Sequence, residues 1–196
     1  MPAAFLQDDQ SLRTRVSAPE TIARLNKMNA ILETDRLILR EFSPQDATAL
    51  MQVLCDPETM KYYPAPLDQS GTEQWINRNL RRYAEDGVGL WAMILKASGE
   101  LIGDCGIIRQ HVDDEYLYEI GYHLRRDHWK RGLATEAAIA CREWAFANLK
   151  VNRLISLIRP ENLPSRRVAE RNGMTIWKEV EWHGLRHYVY AVERPE

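Results

Sequence analysis

The fold is decided by the stretch EIGYHLRRDHWKRGLATEA, Glu119–Ala137. Its first six residues read as a strand. A polar loop follows and runs directly into a helix that opens at Gly132. The free N–H groups of a helix's first turn form an anion site. Gly132 carries no side chain to obstruct close approach, and Ala134 is nearly as small. Between Arg125 and Arg131 four cations (Arg125, Arg126, Lys130, Arg131) stand against a single anion, Asp127. Positive charge is therefore concentrated where a pyrophosphate would sit. The loop is neither a G-x-x-x-x-G-K-[ST] P-loop nor a G-x-G-x-x-G dinucleotide turn. Read alone, it is also compatible with a glycine-opened helix beside a solvated basic loop.

Outward from this stretch, a helix over Gly132–Leu149 is predicted from apolar residues at Leu133, Ala137, Ala140, Cys141, Trp144 and Ala147. Strands are expected at Leu37–Phe42, Leu90–Lys96, Leu101–Arg109, Tyr116–Leu124, Arg153–Ile158, Thr175–Trp182 and Arg186–Val192, divided by turn chemistry at Ser98-Gly99, Asp113-Asp114 and Gly184. Helices are expected from Ser43-Pro44, with Ala47, Leu50, Met51 and Leu54 inward, from Gly71 to Glu85, and from Pro164 to Asn172. Trp91, Trp177, Trp182, Tyr188 and Tyr190 lie on strands, where core packing is the default. The order of elements is mixed α/β (α+β) with an antiparallel middle, not the steady alternation of a doubly wound sheet. Residues 1–30 read as an extension, partly disordered or helical, with Ile22, Leu25 and Met28 spaced for a helix over Ala18–Ala30. Residues 31–196 read as one domain.

Composition narrows the function. The chain has 196 residues, 45% hydrophobic and 28% charged, a globular mixture sized for one domain. A net charge of −2 argues against a nucleic-acid partner. No apolar run is long enough to span a membrane. The opening MPAAFLQDDQSLRTR lacks an apolar signal core, which argues against secretion. Cys55, Cys105 and Cys141 form no C-x-x-C pair, so neither a disulfide framework nor a cysteine zinc site is expected. They read as reduced thiols of a cytoplasmic protein. His183 and His187 lie four apart but without an H-E-x-x-H context, so no metal is expected.

A second constellation, IRPENLPSRRVAERNGM (Ile158–Met174), begins some 20 residues after the first ends. A strand ends, Asn162 leads a turn, and Ser165 opens a helix that closes at Asn172-Gly173. Asn162 and Ser165 are ordinary capping residues in such a turn. Taken with TDRLILREF (Thr34–Phe42), EIGY (Glu119–Tyr122) and WKRGLATEA (Trp129–Ala137), however, this block resembles the GNAT superfamily of acyl-CoA-dependent N-acyltransferases, in particular its RimJ/RimL ribosomal-protein branch. The resemblance spans about Ile31 to Pro195.

The resemblance implies a mixed, mostly antiparallel central sheet of six to seven strands with helices on both faces. It implies acetyl-CoA as co-substrate, with its pyrophosphate on the loop Lys130, Arg131, Gly132, Leu133, Ala134 and Thr135. The pantetheine arm would add to the edge of the Glu119–Leu124 strand at Tyr122, His123 and Leu124, Asn162 would contact that arm, and Ser165 would lie near its sulfur end. Trp129 stands where the general pattern has Gln or Arg, and Lys130 where the branch has Gly. The implied enzyme transfers an acetyl group to a primary amine, of a protein or peptide N-terminus or of a small molecule. The amine attacks directly, without a covalent enzyme intermediate. A monomer or homodimer is expected.

Glu119 is the first candidate for the general base, with Asp104 and His123 as alternatives, and a solvated edge carboxylate is the competing reading of Glu119. The position where many members place an acidic Tyr is Ala169 here. Ser165 is the substitute donor to sulfur, capping being its competing role. Tyr62, Tyr63 and Trp75 belong to the region that covers the acceptor in this family. A non-catalytic acyl-CoA-binding or sensor module is the alternative function.

Overall fold

The computed structural model describes residues 30–195. The Ala18–Ala30 helix expected from the sequence lies outside the described residues, apart from Ala30. Eight strands form one sheet in the order β1-β2-β3-β4-β5-β6-β8-β7. They are β1 (Ala30–Glu33), β2 (Leu37–Arg40), β3 (Leu90–Leu95), β4 (Leu101–Val112), β5 (Glu115–Leu124), β6 (Arg153–Ile158), β7 (Thr175–Trp182) and β8 (Leu185–Glu193). The helices are α1 (Ala47–Leu54), α2 (Gln69–Asp86), α3 (Leu133–Asn148) and α4 (Leu163–Arg171). The architecture is the expected one, and the strand count is one higher. The additional strand is β1, four residues at the sheet edge with no fully buried position to give it a periodic signature.

Every neighbouring pair of strands is antiparallel except β5 and β6. Parallel neighbours need a crossover, and α3 supplies it. The alternation of side chains along the strands builds a core on each face. Leu37, Leu39, Trp91, Met93 and Ile102 pack with Leu133, Ala137, Cys141 and Ala145 of α3 on one face. Ile38, Leu90, Ala92, Ile94 and Ile108 pack with Leu50, Val53 and Leu54 of α1 and Ile76 of α2 on the other.

Local chemistry fixes the helices. Asp46 accepts from the Ser43 backbone N–H at 2.7 Å and pairs with Arg40 at 2.8 Å. Burial raises the Asp46 carboxyl's pKa, but the Arg40 and Ser43 bonds outweigh it and leave it low. The second helix begins two residues earlier than expected because Asp68, not Gly71, caps it, accepting from Gly71 N–H at 2.7 Å. That cap is worth about 1 kcal/mol. On α2 the fully buried positions are Thr72, Ile76 and Asn79, while Trp75, Leu80 and Tyr83 are only partly buried. Asn79 is inside because it answers the Leu90 N–H of β3 at 2.9 Å. Trp177 departs from the core expected for strand aromatics. It lies on the edge strand β7, exposed, with Arg153 and Lys178 over its ring.

β4 and β5 pair without a bulge from Gly103↔Leu124 to Val112↔Glu115. The approach is closest at Gly103, where an added Cβ would lie 2.1 Å from the His123 carbonyl oxygen. Gly103→Ala is therefore expected to cost about 3 kcal/mol, the upper range for overpacking, since backbone has to move. A fall in the urea midpoint at unchanged m-value checks this.

Candidate active site

β5 and β6 pair only at Tyr118↔Leu154 and Glu119↔Ile155. Beyond that point side chains take over the ladder's bonds. Glu119 Oε1 accepts the Leu157 N–H at 3.2 Å, and the Ser156 hydroxyl donates to the Ile120 carbonyl at 2.7 Å. The strands then part, and the β6-facing edge of Gly121–Leu124 is left without a strand partner. The first turn of α3 stands beyond this opening, and α4 flanks it. A cleft of about 410 Å³ occupies the space.

The structure brings most of the expected residues to this cleft. Tyr122, His123, Leu124, Lys130, Gly132, Leu133, Ala134, Thr135, Asn162 and Ser165 all line it. Gly132 has φ +78°, so the chain enters α3 through a left-handed residue, and the space at its α-carbon is open apart from Arg36 Nη2 at 3.6 Å. Glycine is thus required by backbone conformation as well as by access. The Trp129 indole donates to the Leu124 carbonyl at 2.7 Å, tying the loop to the end of β5.

Two expected residues lie elsewhere. Arg131 does not line the cleft: its Nη1 is 3.1 Å from His128 Nδ1, and its carbonyl accepts from Arg36 at 2.9 Å. Glu119 is buried beneath the cleft and not on its wall. Gln110 Nε2 donates to its second oxygen at 2.8 Å, so both oxygens are engaged. Desolvation raises its pKa against the lowering by Gln110, Leu157, Arg82 and His123. Of the two routes expected for Glu119 as a base, direct contact with the amine and action through water, its placement behind the wall suits the second.

Charge in the cleft also differs from the loop reading. Arg125 is engaged by Asp127 at 2.8 Å, and of the loop's four cations only Lys130 reaches the wall. Lys61, Arg167 and Arg171 join it, against Glu58 alone. Arg167 and Arg171 are four apart on α4 and share a face. That spacing was the available sequence signal. Asn162 does cap α4, its Oδ1 accepting the Ser165 N–H at 3.2 Å. The Ser165 carbonyl takes the Tyr122 hydroxyl at 2.9 Å. Among the described residues no group of histidine, cysteine and carboxylate side chains could hold a metal ion.

The model of the acetyltransferase (GNAT) domain matches residues 36–175. The chain belongs to the GNAT acetyltransferase family. It is 39% identical over 150 residues to the uncharacterized protein YkkB of Bacillus subtilis (strain 168), covering 76% of this chain and 87% of that one. Among solved structures, the acetyltransferase from Agrobacterium tumefaciens str. C58 is 32% identical with a TM-score of 0.73, over 83% of this chain and 94% of that one. The RimL ribosomal L7/L12 alpha-N-protein acetyltransferase in complex with coenzyme A shares the fold, at 18% identity and a TM-score of 0.67, over 84% of this chain and 97% of that one.

Lys130 has φ +60°, a left-handed conformation that disfavours a side chain by roughly 1 kcal/mol. Lys130→Gly is expected to leave stability equal or raise it by up to about 1 kcal/mol. It is also expected to weaken binding of anions in the cleft. Thermal unfolding and calorimetric titration with acetyl-CoA check the two effects separately.

Proposed function

We propose that this protein, working in the cytoplasm, transfers the acetyl group of acetyl-CoA to a primary amine by direct attack. One observation carries the reading. The open edge of β5 and the first turn of α3 line the same cleft, which suits an elongated molecule with an anionic end. The coenzyme A bound by RimL, which has the same fold, supports acetyl-CoA as that molecule.

The residues present fit it. The N–H groups of Leu133, Ala134 and Thr135, with Lys130 and the arginines of α4, suit a pyrophosphate. The free edge at Tyr122, His123 and Leu124 suits an amide-bearing arm by strand addition. Bound there, acetyl-CoA supplies an activated thioester. The protein's share is to orient that thioester and the amine, exclude water and manage a proton. Ser165, on the wall, donates a hydrogen bond towards the sulfur. Glu119 contributes a buried negative charge beneath the amine. A protein or peptide N-terminus is the favoured acceptor, on the fold shared with RimL, and a small-molecule amine is the other.

The second reading, a sensor that binds acyl-CoA without turnover, is favoured by Ala169, an apolar residue buried in the core where many family members carry an acidic Tyr. Thiol release from acetyl-CoA against a panel of amines tests both. Turnover on any amine is expected, and tight binding with no turnover on the whole panel selects the sensor. Gly132→Val is expected to weaken acetyl-CoA at least tenfold, about 1.4 kcal/mol, by calorimetry. Unchanged affinity would take the helix mouth out of the site. Glu119→Gln, which keeps an acceptor for the Leu157 N–H, is expected to lower kcat at least tenfold with little change in acetyl-CoA affinity. Wild-type turnover at every pH would remove the buried charge from the reaction.

A further inference from the structure

A line of polar side chains runs from the sheet interior to the cleft on the face opposite Tyr122. Asp104 of β4 is fully buried. Its Oδ1 lies 2.7 Å from His123 Nδ1 and accepts the His123 backbone N–H at 3.1 Å. Its Oδ2 accepts the Trp75 indole N–H of α2 at 2.9 Å. His123 Nε2 is 2.7 Å from the Tyr63 hydroxyl, and both residues line the cleft. Tyr63 comes from the α1–α2 connection, which is anchored by buried Met60 and by the Tyr63 N–H on the Met60 carbonyl at 2.9 Å.

The donor and acceptor roles follow from chemistry. An ionised carboxylate only accepts, so Nδ1 carries the ring proton. Nε2 of the neutral ring is then an acceptor, and Tyr63 donates to it. The phenol oxygen keeps its own accepting capacity, and no other hydrogen-bond partner of it is present among the described residues. The arrangement has the order of a nucleophile–histidine–carboxylate triad, with a phenol where the nucleophile would be.

We propose that Tyr63 is the residue that exchanges protons with the substrates, with His123 as the base behind it and Asp104 holding the ring. The inference rests on the transferase reading above. As the amine nitrogen's lone pair forms the C–N bond, its N–H proton passes to the Tyr63 oxygen and the Tyr63 O–H proton passes to His123 Nε2. The C–S bond breaks with its electron pair on sulfur. The imidazolium, opposite Asp104, then returns a proton to Tyr63, which gives its own to the thiolate. One proton moves from nitrogen to sulfur, and every side chain ends as it began.

Burial of the hydroxyl end, then the charges of Glu119 and Asp104, hold the Tyr63 phenol above its usual pKa. It therefore acts as a neutral conduit and not as a phenolate. The groups facing His123 are Asp104 from β4, Tyr63 from the connection and Glu119 from its own strand, with Arg82 of α2 opposing through Glu119. Glu119 and His123 are four apart on an unbulged strand, so they share a face.

The test uses the full chain, acetyl-CoA and the best amine of the panel. Tyr63→Phe, at an exposed position that keeps the ring, is expected to lower kcat about a hundredfold with acetyl-CoA affinity within about twofold of wild type. His123→Gln is expected to do the same, and the double variant to be no worse than either, as for residues acting as one unit. A Tyr63→Phe enzyme within threefold of wild type, or losses that multiply in the double variant, overturns the relay and leaves the transferase standing. A wild-type protein that binds acetyl-CoA and turns over no amine overturns the transferase and the relay together. Asp104→Asn, if folded, is expected to lower kcat and not affinity. If it does not fold, the Tyr63 and His123 variants still decide.

Discussion

The Leu157 N–H meets a carboxylate instead of a strand. The open edge of β5 and the cleft beside it depend on that substitution and its companion, the Ser156 hydroxyl on the Ile120 carbonyl. Had β5 and β6 continued their ladder, the sheet would have closed and its edge groups would be satisfied internally. The two side-chain bonds satisfy the groups nearest the fork and release the strands beyond it. An open strand edge inside a protein is ordinarily a liability. Here it faces a cleft, where a ligand with amide groups can complete it.

The opening also explains the distribution of charge. A nearly neutral chain sets Lys61, Lys130, Arg167 and Arg171 around one cleft and ties up Arg125 with Asp127 on the outside. Because α3 begins at the same place, backbone dipole and side-chain charge have the same sign there. The positive end of the cleft is thus specified twice, by conformation at Gly132 and by cations from three different segments.

Much of this was legible in the sequence. The apolar runs around Trp91, Ile107 and Ile155, and the helical spacing from Leu133, marked their elements to within a few residues, because each is heavily buried and bounded by turn or polar residues. The cleft wall was legible too, since a glycine-opened helix after a strand states its chemistry locally. Three things were not. β1 is short and half-exposed, so no periodicity marks it. Asn79 looks like a surface residue, and only the Leu90 N–H across the fold explains its burial. Glu119 and Arg131 have the right charge in the right stretch, but Leu157, which holds Glu119, and Arg36, which holds the Arg131 carbonyl, come from distances no local pattern encodes. The proximity of Tyr63 to His123 is likewise a tertiary fact, sixty positions apart in the chain.

On β5, Tyr122 turns towards α4 and His123 towards α2 and the α1–α2 connection. One strand therefore serves two sides of the cleft through the parity of its residues. Inserting or deleting a single amino acid there would exchange the two sides, so this segment has a fixed length. The connection between α1 and α2 brings Lys61, Tyr62 and Tyr63 to the same wall. Its composition is therefore held at those positions, and a change of length there would shift the Tyr63 hydroxyl away from His123.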